Sequence, residues 1–501
     1  MGRVTAPTPV IPVPPADLPG TLGALRAAGH QYRTVKQELR DNLLARMRSG
    51  EPRFPGIVGY DDTVLPEVER ALLAGHDMVL LGERGQGKTR LIRSLGALLD
   101  EWTPVIPGSV LNEHPMHPLT PASRAQVAEA GDDLPVGWLH RSMRYGEKLA
   151  TPDTSVGDLI GDVDPIRIAQ GRTLGDPETI HFGLVPRTNR GIFAVNELPD
   201  LAERIQVALL NVLEERDIQV RGYQLRLPLD LLLVASANPE DYTNRGRIIT
   251  PLKDRFGAEI RTHYPVDLDL ELALIRQEAD LVADVPEHVL EVLARFARAV
   301  RESPSVDPRS GVSARFAIAA AETVAGAALR RAGLLAASAK VLGGGPSTTE
   351  SDNKGPFLAA EAAVARVGDA MSVTSTLRGK VEFESGEEGR EVEILAHLLR
   401  TATADTFRAH LAGLDLSGFT ALVDDGTAIE TGELVSAAEL LRQVGTVPGL
   451  AKVLDRLDLG DAPTPEEAAA AVEFVLEGLH LTRRLGKDVT DTGRTVYGGR
   501  G

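Results

Sequence analysis

Residues 82–89 read Gly82-Glu83-Arg84-Gly85-Gln86-Gly87-Lys88-Thr89, the GxxxxGK[ST] pattern of a phosphate-binding loop. The pattern constrains the fold because it works only between a buried strand and a helix. The apolar run Met78-Val79-Leu80-Leu81 supplies the strand, and Leu91, Ile92, Leu95, Leu98 and Leu99 follow at helical spacing. Such a turn presents backbone N–H groups to phosphate oxygens. In this motif Lys88 reaches the β- and γ-phosphates and Thr89 offers its hydroxyl to Mg2+. ATP with Mg2+ is therefore the expected ligand, cradled by Gly82 through Thr89.

The chain has 501 residues, too many for one ordinary core, so several domains are expected. A formal net charge of −17 argues against broad binding to nucleic acid, and no direct nucleic-acid contact is expected. The absence of cysteine excludes disulfides, thiolate metal sites and cysteine catalysis. No apolar stretch reaches the roughly 18 residues needed to span a bilayer. The N-terminus has no basic segment followed by an apolar one, so a cytoplasmic protein without membrane contact is expected.

Along the chain, residues 1–52 read as a proline-rich tail and a helix over Thr34 to Ser49, closed by Gly50. Residues 53–265 alternate short apolar runs with helical patterns, which implies an α/β core with a mostly parallel sheet. Residues 266–340 read as helices, including His288 to Arg301 and Ser313 to Arg331, and 341–356 have the composition of a flexible linker. Residues 357–501 read as mostly helical, with Ile394, Leu395, Leu398 and Leu399 as one seam and a short alternating stretch, Gly379 to Glu384, as a hairpin. Residues 107–150 form an insertion whose prolines favour a loop. Glu113, His114, His117 and His140 lie in it, and without cysteines or regular spacing they read as polar loop residues rather than metal ligands.

Hydrolysis needs more than a phosphate loop. Ile192-Phe193-Ala194-Val195-Asn196-Glu197 is an apolar strand ending in two polar residues, a Walker B pattern in which Glu197 orients the attacking water. Asn196 stands where Asp is usual for the Mg2+ shell, so weaker Mg2+ holding is expected. The buried run Leu231 to Ala237 ends at Asn238, placed to hydrogen-bond the γ-phosphate or the water. Leu252-Lys253-Asp254-Arg255-Phe256 then presents an arginine at a domain edge, where a neighbouring subunit's phosphoryl group can meet it. Arg315 opens a later helix after Gly311-Val312-Ser313-Ala314.

Over about residues 53–330 these features resemble the AAA+ ATPases, in particular the MoxR and magnesium-chelatase branch. Gly56-Ile57-Val58-Gly59-Tyr60 ahead of the loop, Asn189-Arg190-Gly191 before Walker B and Ser236-Ala237-Asn238-Pro239 carry the likeness. The resemblance implies a P-loop core followed by a helical lid and a helical C-terminal domain. It makes Asn238 sensor 1, Arg255 the arginine finger and Arg315 sensor 2. It also makes Thr154 to Gly191 a helix-2 insertion and Ile218 to Leu227 a hairpin before sensor 1. Asn196 and the long tail depart from the pattern.

The resemblance implies self-association into a ring, a hexamer, that remodels or activates a partner protein carrying a von Willebrand A domain. That domain must lie on another chain, because Asp415-Leu416-Ser417-Gly418-Phe419 lacks the last serine of DxSxS. Three alternatives stay open. One is the ATPase subunit of a true magnesium chelatase. Another is a sigma-54-interacting regulator, against which the missing GAFTGA loop counts. The third is a nucleotide-binding module without hydrolysis, supported by Asn196 alone.

Overall fold

The protein is described by a computed structural model covering residues 12–163, 179–214, 218–220, 223–225, 227–239, 247–307, 311–341, 363–424, 428–460, 462–490 and 494–498. It forms two compact units, Met1–His263 and Tyr264–Gly501. Among the described residues, no helix is long and apolar enough to cross a membrane.

The first unit is built on a five-stranded parallel sheet: β1 (Met78–Leu81), β2 (Tyr145–Leu149), β3 (Gly191–Asn196), β4 (Leu231–Ala237) and β5 (Ala258–Arg261), in the order β5-β1-β4-β3-β2. Every residue of β1, β3 and β4 is buried, as continuous apolar runs require when both faces are covered. Alternate side chains serve opposite faces. Met78, Leu80, Ile192, Ala194, Leu232 and Val234 pack with helices α1 (Val35–Ser49), α2 (Val64–Ala74) and α3 (Lys88–Ser94). Val79, Leu81, Phe193, Val195, Leu233 and Ala235 pack with α4 (Glu203–Glu214) and α5 (Thr250–Arg255). The expected α/β core is thus present.

Helix α1 has a capping box between Thr34 and Gln37 and ends at Gly50 in the left-handed region, φ 75°. A buried ion pair ties it to the sheet: Arg144 donates two bonds of 2.7 Å to the Glu38 carboxylate. Arg144 Nε also donates to Arg190 O at 2.8 Å. Arg190, itself left-handed at φ 62°, donates to Pro104 O and Thr103 Oγ1. Gly191 must be glycine, since a Cβ there would collide with the Arg144 carbonyl.

Residues 107–120, which carry Glu113, His114 and His117, are the loop that the prolines suggest, and the rest of the insertion is structured. It holds a helix, Pro121–Ala130, started by Thr120 with Pro121 in its first turn. It also holds the strand Gly137–His140, which pairs antiparallel with Trp102–Val105, and it ends in β2. The end of the proline-rich tail docks on it through Trp138 Nε1 to Pro19 O, 3.0 Å, and Leu22 N to Leu134 O, 2.9 Å. Residues 1–11 lie outside the described residues. Glu113 accepts from Leu119 N, Thr120 N, Ser123 Oγ and Ser109 Oγ. Burial alone would raise its pKa, and these bonds outweigh burial and lower it.

His114 Nδ1 accepts from Met116 N at 3.0 Å, and its Nε2 lies 3.1 Å from His30 Nε2. Tyr32 stacks on His117 and meets His114 edge-on. Burial first, then the charge of Arg190, pushes the His114 pKa down to about 2, while His140 bonds Ser142. Among the described residues, no group of three or more His, Asp or Glu side chains is placed to hold a metal.

The hairpin Ile218–Val220 with Tyr223–Leu225 is present, as is Gly161–Val163 with Ile180–Phe182 inside the 154–191 region. Residues 164–178 of that region lie outside the described residues.

The second unit packs α6 (Glu287–Glu302), α7 (Ala314–Val341), α8 (Glu391–Leu411) and α9 (Pro465–Leu481) around Phe296, Phe316, Phe407 and Phe474. Gly478 lets α9 approach α8, because a Cβ there would enter the Phe407 ring. One expectation needs correction. Residues 379–384 form no hairpin: Arg378–Lys380 is a 3-10 turn and Phe383 bridges to Val306. The tail also carries a small antiparallel sheet, β6 (Ile429–Thr431), β7 (Gly486–Val489) and β8 (Thr495–Gly498), with β8 central. The linker residues 342–362 lie outside the described residues.

Two outcomes follow from the buried charges. Glu38→Ala strands a guanidinium that is 1% exposed, so urea denaturation should show a loss of about 3–5 kcal/mol. The double change Glu38→Leu/Arg144→Met should recover much of that loss. Below the ordinary histidine pKa of 6.5 the unfolded chain protonates His114 and the folded chain does not, down to about 2. Stability should therefore fall as pH drops through that window. His114→Asn should remove up to about 1.4 kcal/mol per pH unit of that slope.

Candidate nucleotide site

The loop between β1 and α3 has the backbone its glycines permit. Gly85 and Gly87 take φ of 75° and 78°, and a Cβ on Gly82 would strike Thr262 Oγ1 and Gln86 Oε1. Two side chains from outside brace it. Thr262 Oγ1 donates to Gln86 Oε1 at 2.8 Å, and Tyr60 donates its hydroxyl to Gln86 O. Burial raises the Tyr60 pKa to about 12, which keeps that donor protonated.

Register brings the other polar residues to the loop. Leu81 stands opposite Ala237, which places Asn238 beside Gly82. Lys88 donates to Gly82 O, to Glu83 O at 2.7 Å and to Asn238 Oδ1 at 2.8 Å. Ala235 stands opposite Val195, which places Asn196 beside Ser236. Asn196 Oδ1 accepts from Ser236 Oγ at 3.3 Å and from Thr89 Oγ1 at 3.4 Å. Thr89 and Asn196 therefore put oxygen ligands together at the loop, a donor set suited to a hard cation such as Mg2+. Glu197 follows in the left-handed region, φ 57° and ψ 47°, with its N–H donating to Ser236 Oγ at 3.3 Å. Lys88, Thr89, Asn196, Glu197 and Asn238 are thus gathered at neighbouring strand ends.

Arg255 and Arg315, also expected at the site, are held as follows. Arg255 ends α5 with its side chain 46% exposed and pairs with Glu214 of α4, not with Asp254. Arg315 belongs to the second unit, exposed in the first turn of α7, where its N–H donates to Ser313 Oγ at 3.0 Å.

Glu147, on β2, is the residue that sequence reasoning missed. It accepts from Asn196 Nδ2 at 2.7 Å, from Arg93 at 2.8 and 2.9 Å and from Tyr145 at 3.0 Å. The Arg93 hydrogen bond is the main cause holding its carboxyl below the usual range. No local motif marks it, since only the pairing of Leu149 with Asn196 brings β2 alongside. Asn189 and Arg190 are likewise structural: Asn189 binds Leu111 O and Asp230 N, holding the insertion to the sheet.

No protein-family model matches the sequence, and no curated protein matches it. Solved structures do. The chain is similar to the complex between subunits BchI and BchD of magnesium chelatase, at 23% identity over 68% of this chain and 98% of that one, TM-score 0.34. It is also similar to NtrX from Brucella abortus in complex with ATP, at 14% identity over 74% of this chain and 67% of that one, TM-score 0.36. With the glycine loop after β1, Asn196-Glu197 after β3 and Asn238 after β4, the first unit has the α/β P-loop fold that the resemblance to AAA+ ATPases implies.

Proposed function

We propose that this protein is a cytoplasmic Mg2+-dependent ATPase that acts as a ring, a hexamer of its own copies, to remodel or activate a partner protein with a von Willebrand A domain. The observation that carries the ATPase reading is the gathering of Lys88, Thr89, Asn196, Glu197 and Asn238 at the ends of β1, β3 and β4. Phosphate oxygens take the place of the Gly82 and Glu83 carbonyls on Lys88. Thr89 and Asn196 would hold Mg2+, whose chemistry there would be to offset charge on the β- and γ-phosphates. Glu197 orients water in line with the γ-phosphorus and Asn238 fixes the γ-phosphate. Water adds at phosphorus as the bond to the ADP oxygen breaks. Arg255 reaches a neighbour's site across the ring, and Arg315 takes the sensor 2 role. Asn196 favours a second reading, a nucleotide switch with slow or no hydrolysis.

Lys88→Ala should abolish tight ATP binding in a titration, since it removes a buried phosphate contact and its charge together. Glu197→Gln should keep ATP binding and slow hydrolysis by orders of magnitude. Hydrolysis at the wild-type rate in that variant would remove Glu197 from the role, and no turnover in the wild type would favour the switch.

Arg255→Ala should bind ATP nearly normally and lose roughly 10³-fold or more in rate. Mixed with the Glu197→Gln protein it should regain activity, because one subunit's Glu197 then meets its neighbour's Arg255. Specific activity that does not depend on protein concentration, from a sedimenting monomer, would defeat the ring.

A further inference from the structure

Asn196 lacks the charge that an acid would bring to the metal, and the missing charge lies one strand away. Thr89, Asn196, Glu147 and Arg93 form one hydrogen-bonded chain: Thr89 Oγ1 to Asn196 Oδ1 at 3.4 Å, Asn196 Nδ2 to Glu147 Oε1 at 2.7 Å, and Arg93 Nε to Glu147 Oε2 at 2.8 Å. An amide suits the middle of this chain because it accepts at one end and donates at the other. An aspartate at 196 would set two carboxylates at hydrogen-bond distance, and one of them would have to hold a proton. Asparagine at 196 and glutamate at 147 are therefore a matched pair. The carboxylate is 20% exposed, while Arg93, its cation, is 63% exposed and lies at the end of a flexible side chain.

We propose that Glu147 is the displaced acid of the Mg2+ site, a positioning residue that supplies negative charge to the hydrated cation through the Asn196 amide. This rests on the nucleotide-site reading above. The amide oxygen of Asn196 faces Thr89, and its N–H holds it there against Glu147. Glu147 and Asn196 together do what one aspartate does elsewhere, with the charge on β2 and the oxygen ligand on β3.

The test measures ATP affinity against Mg2+ concentration, and again in EDTA, with Mn2+ as a spectroscopic probe of the bound cation. Glu147→Gln should raise the Mg2+ concentration for half-maximal ATP binding roughly tenfold to a hundredfold, the usual cost of losing an outer-shell metal partner. Affinity in EDTA should stay unchanged. Adding Asn196→Asp to Glu147→Gln should restore the Mg2+ requirement by returning one carboxylate to the site. Arg93→Gln, which cuts the same ion pair and leaves the carboxylate, should keep the wild-type requirement. An unchanged Mg2+ requirement in Glu147→Gln would overturn the proposal. So would a loss shared by Arg93→Gln, or one equal in EDTA and not rescued by Asn196→Asp, since either means that Glu147 only braces α3 against β2. Failure of the nucleotide site itself shows differently, as ATP affinity indifferent to Lys88→Ala.

Discussion

The site depends on main-chain register in a sheet buried on both faces. Inside such a sheet a polar side chain finds no water, so β1, β3 and β4 are apolar until their last residues. Polar groups therefore collect where the strands end. Pairing of Leu81 with Ala237, of Ala235 with Val195 and of Leu149 with Asn196 then decides which of them meet. A slip of one residue would turn every side chain of the strand to the opposite face and separate Lys88 from Asn238. Chemistry and packing thus share one constraint.

That register is locked from outside by buried arginines. Arg144 joins α1 to the start of β3, and Arg190 joins β3 to the hairpin that carries the insertion. Each desolvated guanidinium is costly unless its donors are met, and here carboxylate and carbonyl oxygens meet them. The requirement for glycine at 191 has the same origin, because the chain passes against the Arg144 carbonyl. What reads in sequence as a motif before Walker B is, in physical terms, a staple.

Features with a local cause were legible in the sequence. The glycine loop, the apolar strands and the Gly50 end of α1 each depend on neighbours in the chain, and each appears as expected. Features set by distant pairing were not. Glu147 has no signal of its own and gains its place only when β2 lies beside β3. The prolines at 107–150 suggested a loop, yet Pro121 sits in the first turn of a helix, where it is tolerated. The alternation at 379–384 found no partner strand, while β6 pairs with β8 from far along the chain, Thr431 opposite Thr495, a contact that no window of sequence displays.

The residues divide by how firmly they are held. Glu197 occupies a left-handed conformation that costs about 1–3 kcal/mol for a non-glycine residue. Burial of Leu198 and Pro199 and the bond to Ser236 hold it there. Asn196, Asn238 and Lys88 are likewise buried and bonded. Arg255 is the opposite case, since its pair with Glu214 is solvent-exposed and such pairs contribute about 0–1 kcal/mol. Leaving Glu214 for a phosphoryl group on another copy would cost little and gain a charge-assisted contact in a less aqueous place. A rigid centre on strand ends and a loosely held arginine on a surface helix are what the proposed ring requires of these residues.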